Sequence, residues 1–172
     1  MGNLGNTIER LILSRIRFKK VLRYALYMFL SLLVQNMLFN RFRILGVCPM
    51  VLPAVAVAVG MFEGATWGSI FSLIMGIFAD MAFVENTVTF TVLFPALAFA
   101  SGFVSQFFIN RRFFAFMGAA LLALLTTGLA QMLLVAVKDS FSMSMLSTAT
   151  LQTLWSLPLS VLAYYPAAHW MD

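Results

Sequence analysis

The sequence predicts an all-α integral membrane protein with about six transmembrane helices, and three observations predict it. The chain of 172 residues is 62% hydrophobic and only 10% charged, whereas an ordinary soluble domain carries about 25% charged residues. Its mean hydropathy is +0.96; a soluble core of this size could not hide so much apolar surface, so lipid is the expected solvent. The apolar residues also gather into six runs, each near the ~20 residues that a bilayer requires.

Residues 1–20 precede the runs and are polar and basic. Leu4, Ile8, Leu11, Ile12 and Ile16 recur at helical spacing among Arg10, Arg15, Arg17, Lys19 and Lys20. That pattern is a basic amphipathic cytoplasmic segment suited to an anionic lipid surface; a solvated tail that only supplies inside-facing charge is the plainer alternative. The first run, 21–39, begins near Val21 with no small-residue cleavage site after it, so it is read as the first anchor. The others are 45–62, 64–84, 88–109, 113–137 and 147–170, and together residues 21–172 make one six-helix transmembrane domain. The second and third runs are almost fused, with a tight turn expected at Phe62–Glu63 between Gly60 and Gly64.

Orientation follows from Lys and Arg. With the N-terminus in the cytoplasm, Arg10, Arg15, Arg17, Lys19, Lys20, Arg23, Arg111 and Arg112 lie inside, and Arg41, Arg43 and Lys138 lie outside: eight against three of the eleven. Both termini then fall in the cytoplasm. If the second run does not span, the downstream topology inverts.

The clearest internal pattern is small residues spaced by four: Gly60, Gly64, Gly68, Ser72 and Gly76, followed by Asp80. Glycine in a helix costs about 1 kcal/mol relative to alanine, and in membranes its use is close backbone approach between helices. Each step of four drifts about 40°, so the stripe is a groove winding round the helix. It packs against the chain's own helices, a partner's helix or a ligand. Asp80, the acidic residue inside a run, needs a partner; the candidates are Arg41, Arg43, Lys138, Gln35 and Asn36. Gln35 and Asn36 are themselves suited to bind a neighbouring helix through their amides. Pro49, Pro53, Pro95 and Pro158 are expected to kink helices or open carbonyls. Thr126, Thr127, Gly128 and Gln131 form a second polar patch, for packing or a cavity. His169, Trp170, Tyr164 and Tyr165 read as interfacial.

Enzyme signatures are missing: there is no HExxH, GxSxG or P-loop. One His and one Cys, His169 and Cys48, make a catalytic dyad or a metal site improbable, and no cofactor is implied. A nucleic-acid partner is not expected, because the basic cluster adjoins a membrane anchor.

In order, the chain has a basic N-terminus, Gln35–Asn36 in the first helix, Pro49 at the mouth of the second, Gly64, Gly68, Gly76 and Asp80 through the third, and an Arg111–Arg112 turn after the fourth. This resembles the MreD family of bacterial rod shape-determining membrane proteins. The resemblance implies a non-enzymatic scaffold of the cell-wall elongation complex in the inner membrane. The implied partners are an MreC-like membrane protein, the RodA–penicillin-binding-protein synthase and MreB. The Gly64–Gly76 groove is then a candidate seat for a partner's helix, and replacing Gly68 and Gly76 with Leu is expected to break co-purification. The fold also resembles that of the six-helix substrate-binding components of energy-coupling-factor transporters, which implies an alternative: a vitamin-type binding subunit.

Overall fold

The computed structural model describes residues 19–39, 41, 47–82, 88–107, 113–138 and 143–170. The described residues are helical apart from short connections and contain no β-strand. Helix α1 covers 19–39, and its last stretch, Val34–Phe39, is π-helical. It is followed by α2 (Leu52–Glu63), α3 (Ala65–Ala82), α4 (Thr89–Phe107), α5 (Phe113–Lys138) and α6 (Met143–Trp170). Three windows, Ala65–Ala82, Thr89–Gln106 and Phe113–Val137, are long and apolar enough to cross a membrane.

Helix α2 is the axis of the molecule. It packs against α3, α4, α5 and α6, and every residue from Leu52 to Met61 is buried. Its sequence suits the position, because Ala54, Val55, Ala56, Val57, Ala58, Val59 and Gly60 are small on every face, so surrounding helices can approach from all sides. Pro53 stands in the first turn, where a missing N–H removes no helical bond.

The second run departs from expectation. Only Leu52–Glu63, twelve residues, is helical, about 18 Å of rise. Residues 47–51 ahead of it are non-helical and mostly buried. The chain nevertheless returns to the end at which α1 starts. There, Lys20 Nζ at the start of α1 lies 2.9 Å from Glu63 Oε1 at the end of α2. The close of α4 is at this end too, since Gln106 lies against Gly64. So are the beginning of α5 and the last turns of α6, where Tyr164 meets Phe62 at 5.7 Å and Phe113 at 5.2 Å. The six elements therefore alternate in direction.

The outer faces are rich in large apolar side chains, and a few polar groups are buried in a mostly apolar interior. Phe114, Val137, Met81, Val88 and Leu154 stand among many exposed large hydrophobics, while Gln35, Ser72, Thr127, Thr153, Ser156 and Ser160 are buried. Helix α6 packs inward through small residues, Ala149, Thr153, Ser156, Ser160, Ala163 and Ala167, at the three- and four-residue steps of one helix face.

Candidate functional site

The small-residue stripe of α3 is filled from within the chain. A Cβ placed on Gly68 would stand 2.5 Å from the Gly60 Cα of α2, and one on Gly76 would stand 2.5 Å from the Phe90 carbonyl oxygen of α4. Winding hands the stripe from one neighbour to the next: Gly68 faces α2 and Gly76 faces α4. Gly60 also packs closely against the Ala98 carbonyl of α4. Gly64 plays a different part. Its φ of +93° turns the chain between α2 and α3, and its N–H donates to the Gly60 carbonyl, a conformation that glycine adopts without strain. Ser72 is fully enclosed, and among the described residues its hydroxyl has no hydrogen-bond partner. The seat expected for a partner's helix is thus occupied by α2 and α4, and a Leu at Gly68 or Gly76 would disrupt the chain itself.

A second centre lies where α2 begins. Buried backbone outside a helix must find partners for its N–H and C=O groups, and here side chains supply them. Gln35 Nε2 donates to the Pro49 carbonyl at 3.0 Å, and the Val51 N–H donates to Gln35 Oε1 at 2.9 Å. The Met50 N–H donates to Ser156 Oγ at 2.8 Å. Gln35 therefore behaves as a strand-like partner for a broken helix, and it projects from the π-helical stretch of α1, a geometry that re-aims side chains. Asn36 is half-buried and takes no part in this clamp. The patch on α5 adjoins it. Gln131 Nε2 approaches the Met50 sulfur at 3.7 Å, whereas the Thr126 and Thr127 hydroxyls bond back to the Ala123 carbonyl. Between them, a recess lined by Met50, Thr127, Gln131, Gln152 and Ser156 encloses ≈ 10 Å³, about the minimum for one water.

Asp80 has a backbone partner rather than the expected cation or amide. The Phe90 N–H donates to Oδ1 at 3.1 Å; the Thr91 N–H and hydroxyl donate to Oδ2 at 2.8 and 2.6 Å. Phe90 and Thr91 open α4, so a carboxylate from the end of α3 caps the next helix. Free N–H groups and the positive end of the helix dipole both favour an anion there. Neither Gln35, which serves Pro49 and Val51, nor Asn36, Arg41 or Lys138 is the acceptor's partner among the described residues; Arg43 lies outside them.

Of the expected membrane-surface cations, Lys19 and Lys20 are exposed at the start of α1; Arg10, Arg15 and Arg17 lie outside the described residues, as do Arg111 and Arg112. The Lys20–Glu63 pair is a feature the sequence reading missed, although an acid in an apolar hairpin turn was a visible signal. Tyr27 was missed too: its hydroxyl donates to the Ala163 carbonyl at 2.7 Å and ties α1 to α6. Among the described residues, no three His, Cys, Asp or Glu side chains converge to hold a metal ion.

These observations define an all-helical chain with three candidate membrane spans, in which Tyr27, Gln35, Asp80 and Ser156 join separate parts of the bundle. Comparison of the chain with protein families, with characterised proteins and with solved structures found no match in any of the three.

Proposed function

We propose that the chain is a multi-pass, non-enzymatic scaffold of the bacterial inner membrane, MreD-like, that binds and positions an MreC-like protein and the RodA–penicillin-binding-protein synthase, with MreB, during cell-wall elongation. The observation that carries the scaffold reading is the filled centre. Backbones meet at Gly60, Gly68 and Gly76, and the polar recess beside α2 encloses ≈ 10 Å³. Binding pockets for small molecules hold roughly 300–1,000 Å³, so a vitamin does not fit in that recess, and the outer hollow beside it at Gln131, Thr148 and Gln152, ≈ 250 Å³, also falls short. A rigid core with an apolar exterior suits a protein that works through its outer faces. Identification with MreD rests on the order of Gln35, Pro49, Gly64, Gly68, Gly76 and Asp80. Alternating helices with both described ends on one side, together with the excess of Lys and Arg there, support cytoplasmic termini.

Gentle-detergent pull-down of the tagged chain from its native membrane, with mass spectrometry of proteins and small molecules, tests this. Recovery of an MreC-like protein or the wall synthase is the expected result. Recovery of ABC-type ATPases with a bound vitamin would overturn it in favour of a transporter subunit.

A further inference from the structure

Polar side chains converge beside the non-helical start of the second run. Thr127 and Gln131 of α5 and Gln152, Thr153 and Ser156 of α6 line the ≈ 10 Å³ recess against Met50. The three hydroxyls have already spent their donors. Thr127 Oγ1 donates to the Ala123 carbonyl at 2.7 Å, Thr153 Oγ1 to the Ala149 carbonyl at 3.0 Å, and Ser156 Oγ to the Gln152 carbonyl at 2.6 Å. Each oxygen keeps a lone pair and can only accept. Donors come from the amides. Gln131 turns one N–H to the Met50 sulfur at 3.7 Å, a weak acceptor, and has a second; Gln152 brings another amide. Among the described residues, no charged side chain lines the recess.

The recess continues outward. A hollow of ≈ 250 Å³ between α5 and α6 shares Gly128, Gln131 and Gln152 with it and extends to Thr148. Gln131 is seven residues from the end of α5 at Lys138, and Thr148 is five from the start of α6 at Met143, about 10 and 8 Å of helix. The hollow is therefore close to the end of the bundle opposite Lys20. Acceptors and amide donors in one uncharged space call for a neutral molecule that both donates and accepts. The volume admits nothing larger than water, which needs about 10–15 Å³ and two to four polar partners.

We infer that the recess is a binding site for one ordered water, reached through the hollow between α5 and α6. The water donates to the hydroxyl oxygens of Thr127, Thr153 or Ser156 and accepts from the Gln131 or Gln152 amide. It bridges α5 and α6 where the second run is not helical, and non-helical backbone at membrane depth is tolerated where it is buried in protein or borders water. The inference is independent of the scaffold reading and of any protein partner.

The test is pulsed X-ray radiolysis of the full chain in detergent micelles, with oxidation of each methionine to the sulfoxide read by mass spectrometry. Met50 and Met61 are both 3% exposed, so radicals from bulk solvent reach them alike, whereas radicals formed from a water in the recess arise beside Met50 alone. Met50 should oxidise several-fold faster than Met61. Gln131→Leu removes an amide and should bring Met50 down to the rate of Met61. Gly128→Ala should slow Met50 as well. Its Cβ would lie 3.6 Å from the Ala149 Cβ and 3.8 Å from Thr153 Oγ1, ordinary contacts, at the junction of recess and hollow. A variant that unfolds would raise Met61 and the fully buried Met75 together with Met50, and the other variant then decides. Equal rates at Met50 and Met61 in the unaltered chain would overturn the site. So would a fast Met50 that neither substitution slows.

Discussion

Adding one methyl group at Gly68 should destabilise the whole bundle. A Cβ there would stand 2.5 Å from the Gly60 Cα and 2.9 Å from the Gly60 nitrogen, both backbone atoms, where ordinary contact begins near 3.4 Å. Helices α2 and α3 must therefore part by about 0.9 Å. Retreat of α2 is hindered, because Gly60 also packs closely against the Ala98 carbonyl of α4. Overpacking a filled core costs about 1–3 kcal/mol, and backbone neighbours put this case at the upper end. Alanine's better helix propensity returns up to about 1 kcal/mol, leaving a net loss of about 2 kcal/mol. At this chain length that lowers the unfolding midpoint by about 4–8 °C. The assay is thermal unfolding of purified Gly68→Ala in detergent, with Gly118→Ala on α5 as the reference. Among the described residues, no atom beyond Gly118's own stretch of helix lies within 4 Å of a Cβ there, so that variant should be neutral or up to about 1 kcal/mol more stable. If both variants move the midpoint in the same direction by similar amounts, the close crossing of α2 and α3 is wrong.

Three further outcomes follow from the polar contacts. Asp80→Ala removes the acceptor for three donors and should cost about 1–3 kcal/mol, with Asp80→Asn nearer wild type because Asn also caps helices well; denaturant midpoints would show the order. Gln35→Leu leaves the Pro49 carbonyl and Val51 N–H unpaired, a loss of about 2–4 kcal/mol, and amide exchange should rise first at Met50 and Val51; unchanged protection there would refute the clamp. Tyr27→Phe deletes one 2.7 Å bond and should cost about 1 kcal/mol, read as a faster exchange of α1 than of α3.

The long runs were legible because nothing interrupts them. Residues 64–84, 88–109 and 113–137 became Ala65–Ala82, Thr89–Phe107 and Phe113–Lys138 with ends displaced by a few residues. The second run misled because hydropathy is blind to backbone pairing. Residues 47–51 are as apolar as a helix, but they stay open because Gln35 and Ser156, distant in sequence, satisfy their amides. Pro49 and Pro53 were the available hint, since a proline pair suits the first turn of a helix better than its middle. Asp80 was recognised as needing a partner, but a helix terminus does not appear as a charge, so the search among Arg, Lys and amides looked in the wrong place. A Thr-rich stretch about ten residues later, Thr87, Thr89 and Thr91, marked the start of α4 and with it the donors. The small-residue face of α6 obeys the same logic as that of α3. It was overlooked because serine, threonine and alanine share it with no repeated glycine to draw attention.

The bond between Met50 and Ser156 has a consequence for biosynthesis. The two residues are 106 positions apart, and a ribosome adding about 5–20 residues per second needs roughly 5–20 s to make the second after the first. During that interval the opening of α2 lacks one of its partners, and so does the Tyr27 hydroxyl, whose acceptor Ala163 is made later still. The nascent chain therefore cannot close its centre until α6 has been translated. A chain stopped before α6 would leave the Met50 N–H and the Tyr27 hydroxyl without these acceptors.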